Sequence, residues 1–138
     1  MSLNDYYMYC DDAHRELYSV LLNDWQEIGL AWACEDKVLN LGMMSVAKDQ
    51  MLTFFSLHAG SAIPSSIQLN VSDWRRYLGQ ENMASFVGDI RRIQGLQIKE
   101  RGDVLKIENA GHVLQATQKE LRNLLHHFAV QLPNKVAA

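Results

Sequence analysis

Residues 67–107 place four short local signals in one fixed order, and few small folds accommodate that order. Ile67-Gln68-Leu69-Asn70 alternates apolar and polar residues, the pattern of a half-buried strand. Ser72 can cap a short helix carrying Trp74, Tyr77 and Leu78, which Gly79 ends. Met83, Phe86, Val87, Ile90 and Ile93 follow at three- and four-residue spacing, the mark of a second helix, stopped by Gly95. Leu96-Gln97-Ile98 and Val104-Leu105-Lys106-Ile107 then flank Arg101-Gly102-Asp103 as the arms of a β-hairpin. Strand, helix, glycine turn, helix and hairpin is the order of a winged helix-turn-helix, whose second helix normally enters the DNA major groove.

Upstream, Tyr18, Leu21, Trp25, Ile28, Trp32 and Leu39 fall in two heptad registers, with Glu35 in the one polar slot. A continuous helix of about 30 residues would be roughly 45 Å long, more than so short a chain covers by itself. The spacing therefore predicts a dimerisation helix over residues 1–42, its seam made by those six apolar side chains. A helix split at Gly29 or at Glu35-Asp36 and packed on the chain's own core is an alternative, as is a strand pair through residues 30–41. Ser45 can cap a helix over residues 46–58, and the Gly-, Pro- and Ser-rich run at 59–66 is a loop by composition. A last helix starts at Asn109 or Gly111, carries Val113, Leu114, Leu121, Leu124, Leu125, Phe128 and Leu132, and is ended by Pro133-Asn134. The expected fold class is thus mostly α with a small β-wing. A long N-terminal helix precedes a winged helix-turn-helix domain with a C-terminal helix, over residues 45–138.

With 48% apolar and 21% charged residues the chain has the composition of a folded protein. There is no run of about 18 uncharged apolar residues and no signal-peptide pattern, and two cysteines make no disulfide framework. A cytoplasmic location without membrane contact is the expectation. The formal charge of −3 is unevenly spread. Residues 1–66 hold three basic against nine acidic side chains, a net of −6, whereas residues 67–107 hold seven against five, a net of +2. Positive charge thus gathers on the candidate reading unit, as phosphate binding requires.

From about residue 11 to 118 the chain resembles the C-terminal half of the catabolite-activator/Fnr (Crp-Fnr) family of bacterial transcription regulators. The resemblance is carried by Ile67-Gln68-Leu69-Asn70 with Trp74 and Leu78-Gly79, by Gly95-Leu96-Gln97-Ile98, by the wing arm at 104–107, and by Glu108-Asn109-Ala110-Gly111-His112-Val113-Leu114 after it. Where that family's recognition helix opens with Ser/Thr-Arg-Glu, this chain has Gln80-Glu81-Asn82-Met83. The family's N-terminal effector-binding β-roll has no counterpart here. The resemblance implies a homodimeric, sequence-specific DNA-binding regulator or its DNA-binding fragment, with double-stranded DNA as partner.

On that reading Gln80, Asn82 and Ser85 face base edges, where amides pair well with adenine. Ser72, Arg75, Arg76, Arg92, Lys99 and Arg101 face phosphates. The rival is a winged-helix module that binds a protein and not DNA, its second helix being poor in base-reading residues. Cys10 and His14 stand one helical turn apart, but two ligands do not make a metal site. His126-His127, Asp11-Asp12 and Glu35-Asp36 read as packed or solvated pairs. No phosphate loop, nucleophile elbow or zinc signature is present, so neither a cofactor nor an enzymatic activity is expected.

Overall fold

A computed structural model of the chain describes residues 1–44, 50–60 and 64–136, with side chains through Pro133. The spacing from Tyr18 to Trp25 is helical in it, but the helix stops at Glu27, and Gly29 at φ +86° turns the chain into a strand. The order is α1 (Leu3–Met8), α2 (Asp12–Glu27), β1 (Ala31–Glu35), β2 (Val38–Met44), β3 (Met51–His58), β4 (Ser66–Asn70), α3 (Val71–Leu78), α4 (Gln80–Arg92), β5 (Gln97–Arg101), β6 (Val104–Glu108), a 3-10 turn (Ala110–His112) and α5 (Gln115–Val136). The strands form one six-stranded sheet in the order β1-β2-β3-β4-β6-β5, every neighbour antiparallel.

The expected mostly-α architecture with a long dimerisation helix is therefore overturned: the protein is α+β, built on an extensive antiparallel sheet. Leu39 sits in β2 and Trp32 in β1, paired with Cys34 and Leu41 respectively. Tyr18, Leu21, Trp25 and Leu39 are buried in the chain's own core, and half-buried Ile28 packs against it. Most of the hydrophobic surface that a second subunit was expected to cover is covered internally; Trp32 is the exception. Of the alternatives, the break at Gly29 and the strand pair through 30–41 both occur. Residues 51–58, expected to be helical, are β3, and Ser45 with residues 46–49 lies outside the described residues.

One face of the sheet is apolar and packs against the helices. In register, Leu39, Leu57, Ile67, Ile107 and Ile98 make one transverse row, with Leu41 and Phe55, then Leu69 and Leu105, beside it. At the β2–β3 bulge beside Gly42, Phe54 and Phe55 are both buried. A Cβ on Gly42 would lie 2.2 Å from the Leu52 carbonyl oxygen, so only glycine lets the strands approach there. Trp74 stacks on Phe86 at 4.9 Å with its plane 12° away, and its Nε1–H donates to the Phe54 carbonyl at 2.6 Å. Trp25 donates to the carbonyls of Ala31 and Gly42 at 2.9 and 3.0 Å, Tyr6 to Leu57 at 2.7 Å, and Tyr18 to His58 at 3.1 Å. Each buried aromatic with a polar atom thus ties its helix to the sheet backbone, which removes the cost of an unpaired donor.

The local elements of residues 66–108 agree with the sequence, one detail apart. Asn70, not Ser72, caps α3, accepting from the Asp73 N–H at 3.4 Å. α5 runs through Pro133 to Val136 instead of ending there; a proline in the last turn gives up one backbone bond without breaking the turns before it. No helix among the described residues is long and apolar enough to cross a membrane.

Candidate functional site

The two edges of the sheet are unlike. β5 carries Lys99, Glu100 and Arg101, with Arg91 of α4 paired to Glu100 and Lys99 paired to Glu108 at 3.2 Å. Charged side chains of this kind are how sheet proteins keep an edge from pairing with a stranger. β1 reads Ala-Trp-Ala-Cys-Glu, with one charge at its end. Among the described residues its only strand neighbour is β2, across the turn Asp36-Lys37. A two-residue turn makes Glu35 and Val38 a hydrogen-bonded pair. Ala33 and Ala31 then face β2 likewise, and the backbone groups of Trp32 and Cys34 point away from the sheet. Among the described residues neither makes a backbone bond outside the strand pair.

Apolar surface borders this free edge. Trp32 is 36% exposed, whereas Trp25 and Trp74 are buried, and Met44 is 41% exposed. A shallow cleft of about 420 Å³ lies at the start of β1, lined by Ile28, Gly29, Leu30 and Ala31 with Met43, Met44 and Pro133. Large apolar groups held in the open next to unpaired backbone form an arrangement that can take a further strand: main-chain bonds give affinity and the cleft gives side-chain preference. Sequence reasoning placed Trp32 in a helical seam and missed its exposed position on a sheet edge. The signal that could have found it was the Asp36-Lys37 turn between two apolar runs, the weaker alternative for residues 30–41.

The residues expected to meet DNA are not gathered on one surface. Gln80, Asn82 and Ser85 are exposed on α4, although the Asn82 amide donates to the Leu78 carbonyl at 2.7 Å. Arg75 lies at a cavity of about 240 Å³ between α4 and the β5–β6 hairpin, floored by Val71, Met83, Val87 and Leu105. Arg76 lies over the Tyr77 ring at 5.6 Å, and Arg92 is paired with Asp89 at 2.7 Å. Ser72 is half-buried in the first turn of α3. Lys99 and Arg101 project from the opposite face of the sheet, since their register partners Lys106 and Val104 alternate with the core residues Leu105 and Ile107. The phosphate candidates are thus divided between the helix layer and the uncovered sheet face.

Asp11, His14 and His112 bring one ligand atom each within 4.8 Å of the others. The fully buried His14 ring accepts the Gly111 N–H on Nε2 at 3.0 Å, so its Nδ1 carries the proton and donates to Asp11 at 2.9 Å. His112 Nε2 stands 3.2 Å from the same carboxylate. Burial pushes the Asp11 carboxyl up, but the His14 backbone N–H and the two imidazoles outweigh it and hold it below the usual carboxylate range. Both nitrogens of His14 are committed, and a metal there would have to displace the Gly111 amide. The cluster is a clasp between the start of α2 and the turn after β6. Cys10 does not share it, its thiol lying 3.9 Å from the Tyr6 carbonyl, and burial raises that thiol's pKa.

Comparison with family models, with curated proteins and with solved structures finds no match for this chain.

Proposed function

We propose that the protein is a binding module, not an enzyme, that takes an extended segment of a partner protein along β1 as an added strand. One observation carries this reading: β5 is guarded by charges, while β1 combines outward backbone groups at Trp32 and Cys34 with an apolar cleft. The guest strand would alternate. Its residues on the helix side meet Trp32 and Cys34, with the cleft at the Ala31 end; those between them lie beside Ala31, Ala33 and Glu35 on the other face. Apolar side chains at every second guest position are therefore the recognition pattern.

Random peptides displayed on phage and selected on the intact chain test this, and sequences with that alternation are expected to be enriched. Cys34→Pro is the discriminating variant, because the amide it removes points outward and proline is tolerated on a sheet edge. It is expected to weaken the enriched peptides at least about tenfold while the protein stays folded. Peptides that bind Cys34→Pro as well as wild type, or selection that yields no alternation, would overturn the proposal. Self-association abolished by Cys34→Pro would assign the edge to a second copy of the chain instead.

A second reading, double-stranded DNA binding through α4 as in the Crp-Fnr regulators, is favoured by one observation. The β4-β6-β5 order around α3 and α4 is the strand order of a winged helix, and Gln80, Asn82 and Ser85 are exposed on α4. Gel-shift titration over several salt concentrations tests it. This reading expects log affinity to fall with log salt, and a smaller slope for Arg75→Ala with Arg76→Ala; absence of binding at low salt removes it.

A further inference from the structure

The face of the sheet turned away from the helices is mainly polar at its β3-β4-β6-β5 end. Lys99, Lys106, Gln68, Ser56, Asn40 and Ala33 form a row across all six strands, each opposite the next. These residues are half-buried or exposed, and the hydrogen bonds of Ser56 to Asn40 and of Gln68 to Ser66 stay within the face. At the β4–β6–β5 end lies a shallow depression of about 620 Å³, lined by Gln68, Lys99, Arg101, Val104, Lys106 and Glu108, with Glu100 at its rim.

Two lysines directly opposite each other are unfavourable in a sheet, and Lys99 faces Lys106 in register. Lys99 finds Glu108 at 3.2 Å. Among the described residues, neither Lys106 nor Arg101 has a carboxylate within ion-pair distance. Glu100 is taken by Arg91. Two uncompensated cations and one compensated one thus border a single depression, at an energetic cost that an anion would relieve.

We infer that this depression is a binding site for a compact phosphate or diphosphate group, free or as part of a larger molecule. Arg101 supplies a planar fork for two phosphate oxygens, and Lys106 and Lys99 supply point charges. The Gln68 amide, oriented by its 3.1 Å bond to the Ser66 hydroxyl, keeps one N–H to donate. A nucleic-acid strand suits the face less well, since the row offers no Phe, Tyr or Trp on which bases could stack. The site is independent of the β1 edge and stands or falls without it.

The experiment is an NMR titration of the full chain with inorganic pyrophosphate, against sodium chloride at matched ionic strength. Saturable shifts are expected at Gln68, Lys99, Arg101 and Lys106, with a rise in the titration midpoint of the neighbouring His58. Lys106→Met and Arg101→Met should each weaken binding about tenfold, while Arg92→Met on α4 leaves it unchanged. Lys106→Met should also melt no lower than wild type, because it removes a like-charge pair. Co-sedimentation with vesicles containing a phosphorylated inositol lipid, lost in the same variants, would identify a lipid headgroup as the source. Pyrophosphate binding without vesicle binding would identify a soluble phosphate. Shifts reproduced by salt alone, affinity indifferent to Lys106→Met, or binding of a single-stranded oligonucleotide that pyrophosphate does not displace would overturn the site.

Discussion

Gly111 shows how closely single residues are fitted. A Cβ there would stand 3.0 Å from the Ala13 backbone and from the His14 ring, and neither can retreat, since the ring is bonded at both nitrogens. Gly111→Ala is expected to cost about 1–3 kcal/mol in chemical denaturation, the usual penalty of overpacking. Asp11→Ala removes a helix cap and the His14 partner together, and should cost about 1–2 kcal/mol. The pH dependence follows from the direction of the shift. Asp11 is held below 3.8, so its contribution is present above that value and is lost as pH falls through the lower folded one. Asp11→Ala should therefore flatten the acid limb of stability. For His58, burial first and Lys106 second hold its protonation below 6.5. Below that pH the unfolded chain binds a proton that the folded ring resists, so stability is full above 6.5 and declines as pH drops toward the folded value. Urea midpoints from about pH 5 to pH 7.5 should rise with pH, and less steeply in Lys106→Met; an unchanged slope in the variant would contradict the Lys106 contribution.

At the scale of elements, β1 divides into outward and inward positions, and proline substitution tells them apart. Ala33 faces Asn40 in a hydrogen-bonded pair, so Ala33→Pro should break the β1–β2 ladder and lower the melting temperature by several degrees or more. Cys34→Pro should leave the ladder intact. Equal destabilisation by both would mean that the outward assignment is wrong. The same scale explains what the sequence made legible. Residues 66–108 were readable because each element carries its signal locally: alternation in β4, three-four spacing in α4, a glycine between hairpin arms. β3 was not readable, because the bulge buries the adjacent Phe54 and Phe55 and so erases the alternation that marks a strand. β1 has no β-branched residue, and Trp32 and Leu39 continue by coincidence the heptad register begun by Tyr18 and Trp25 in α2. The exposed positions of Asn82 and Ser85 were readable from helical phase, whereas the division of the cations between two faces depends on sheet register, which no local window contains.

For the whole molecule, the decisive difference is between a seam closed by a second subunit and a core closed by the chain itself. Trp25 is 3% exposed, bonded to two strand carbonyls and packed edge-on to Phe55 at 5.7 Å. Trp25→Ala is expected to cost about 3–5 kcal/mol, with denaturation midpoints that do not move with protein concentration; a midpoint rising with concentration would show that the apolar surface is shared between copies. One face of the sheet is spent on this core, leaving a mainly polar face and, among the described residues, the β1 edge, on which the proposed strand addition rests. The edge is tested most directly by amide hydrogen exchange across β1, with and without a selected peptide. The account predicts that Trp32 and Cys34 exchange fast in the free protein while Ala31, Ala33 and Glu35 are protected, and that peptide binding protects the first two. Trp32 and Cys34 amides already slow in the free protein, or still fast in the peptide complex, would contradict it.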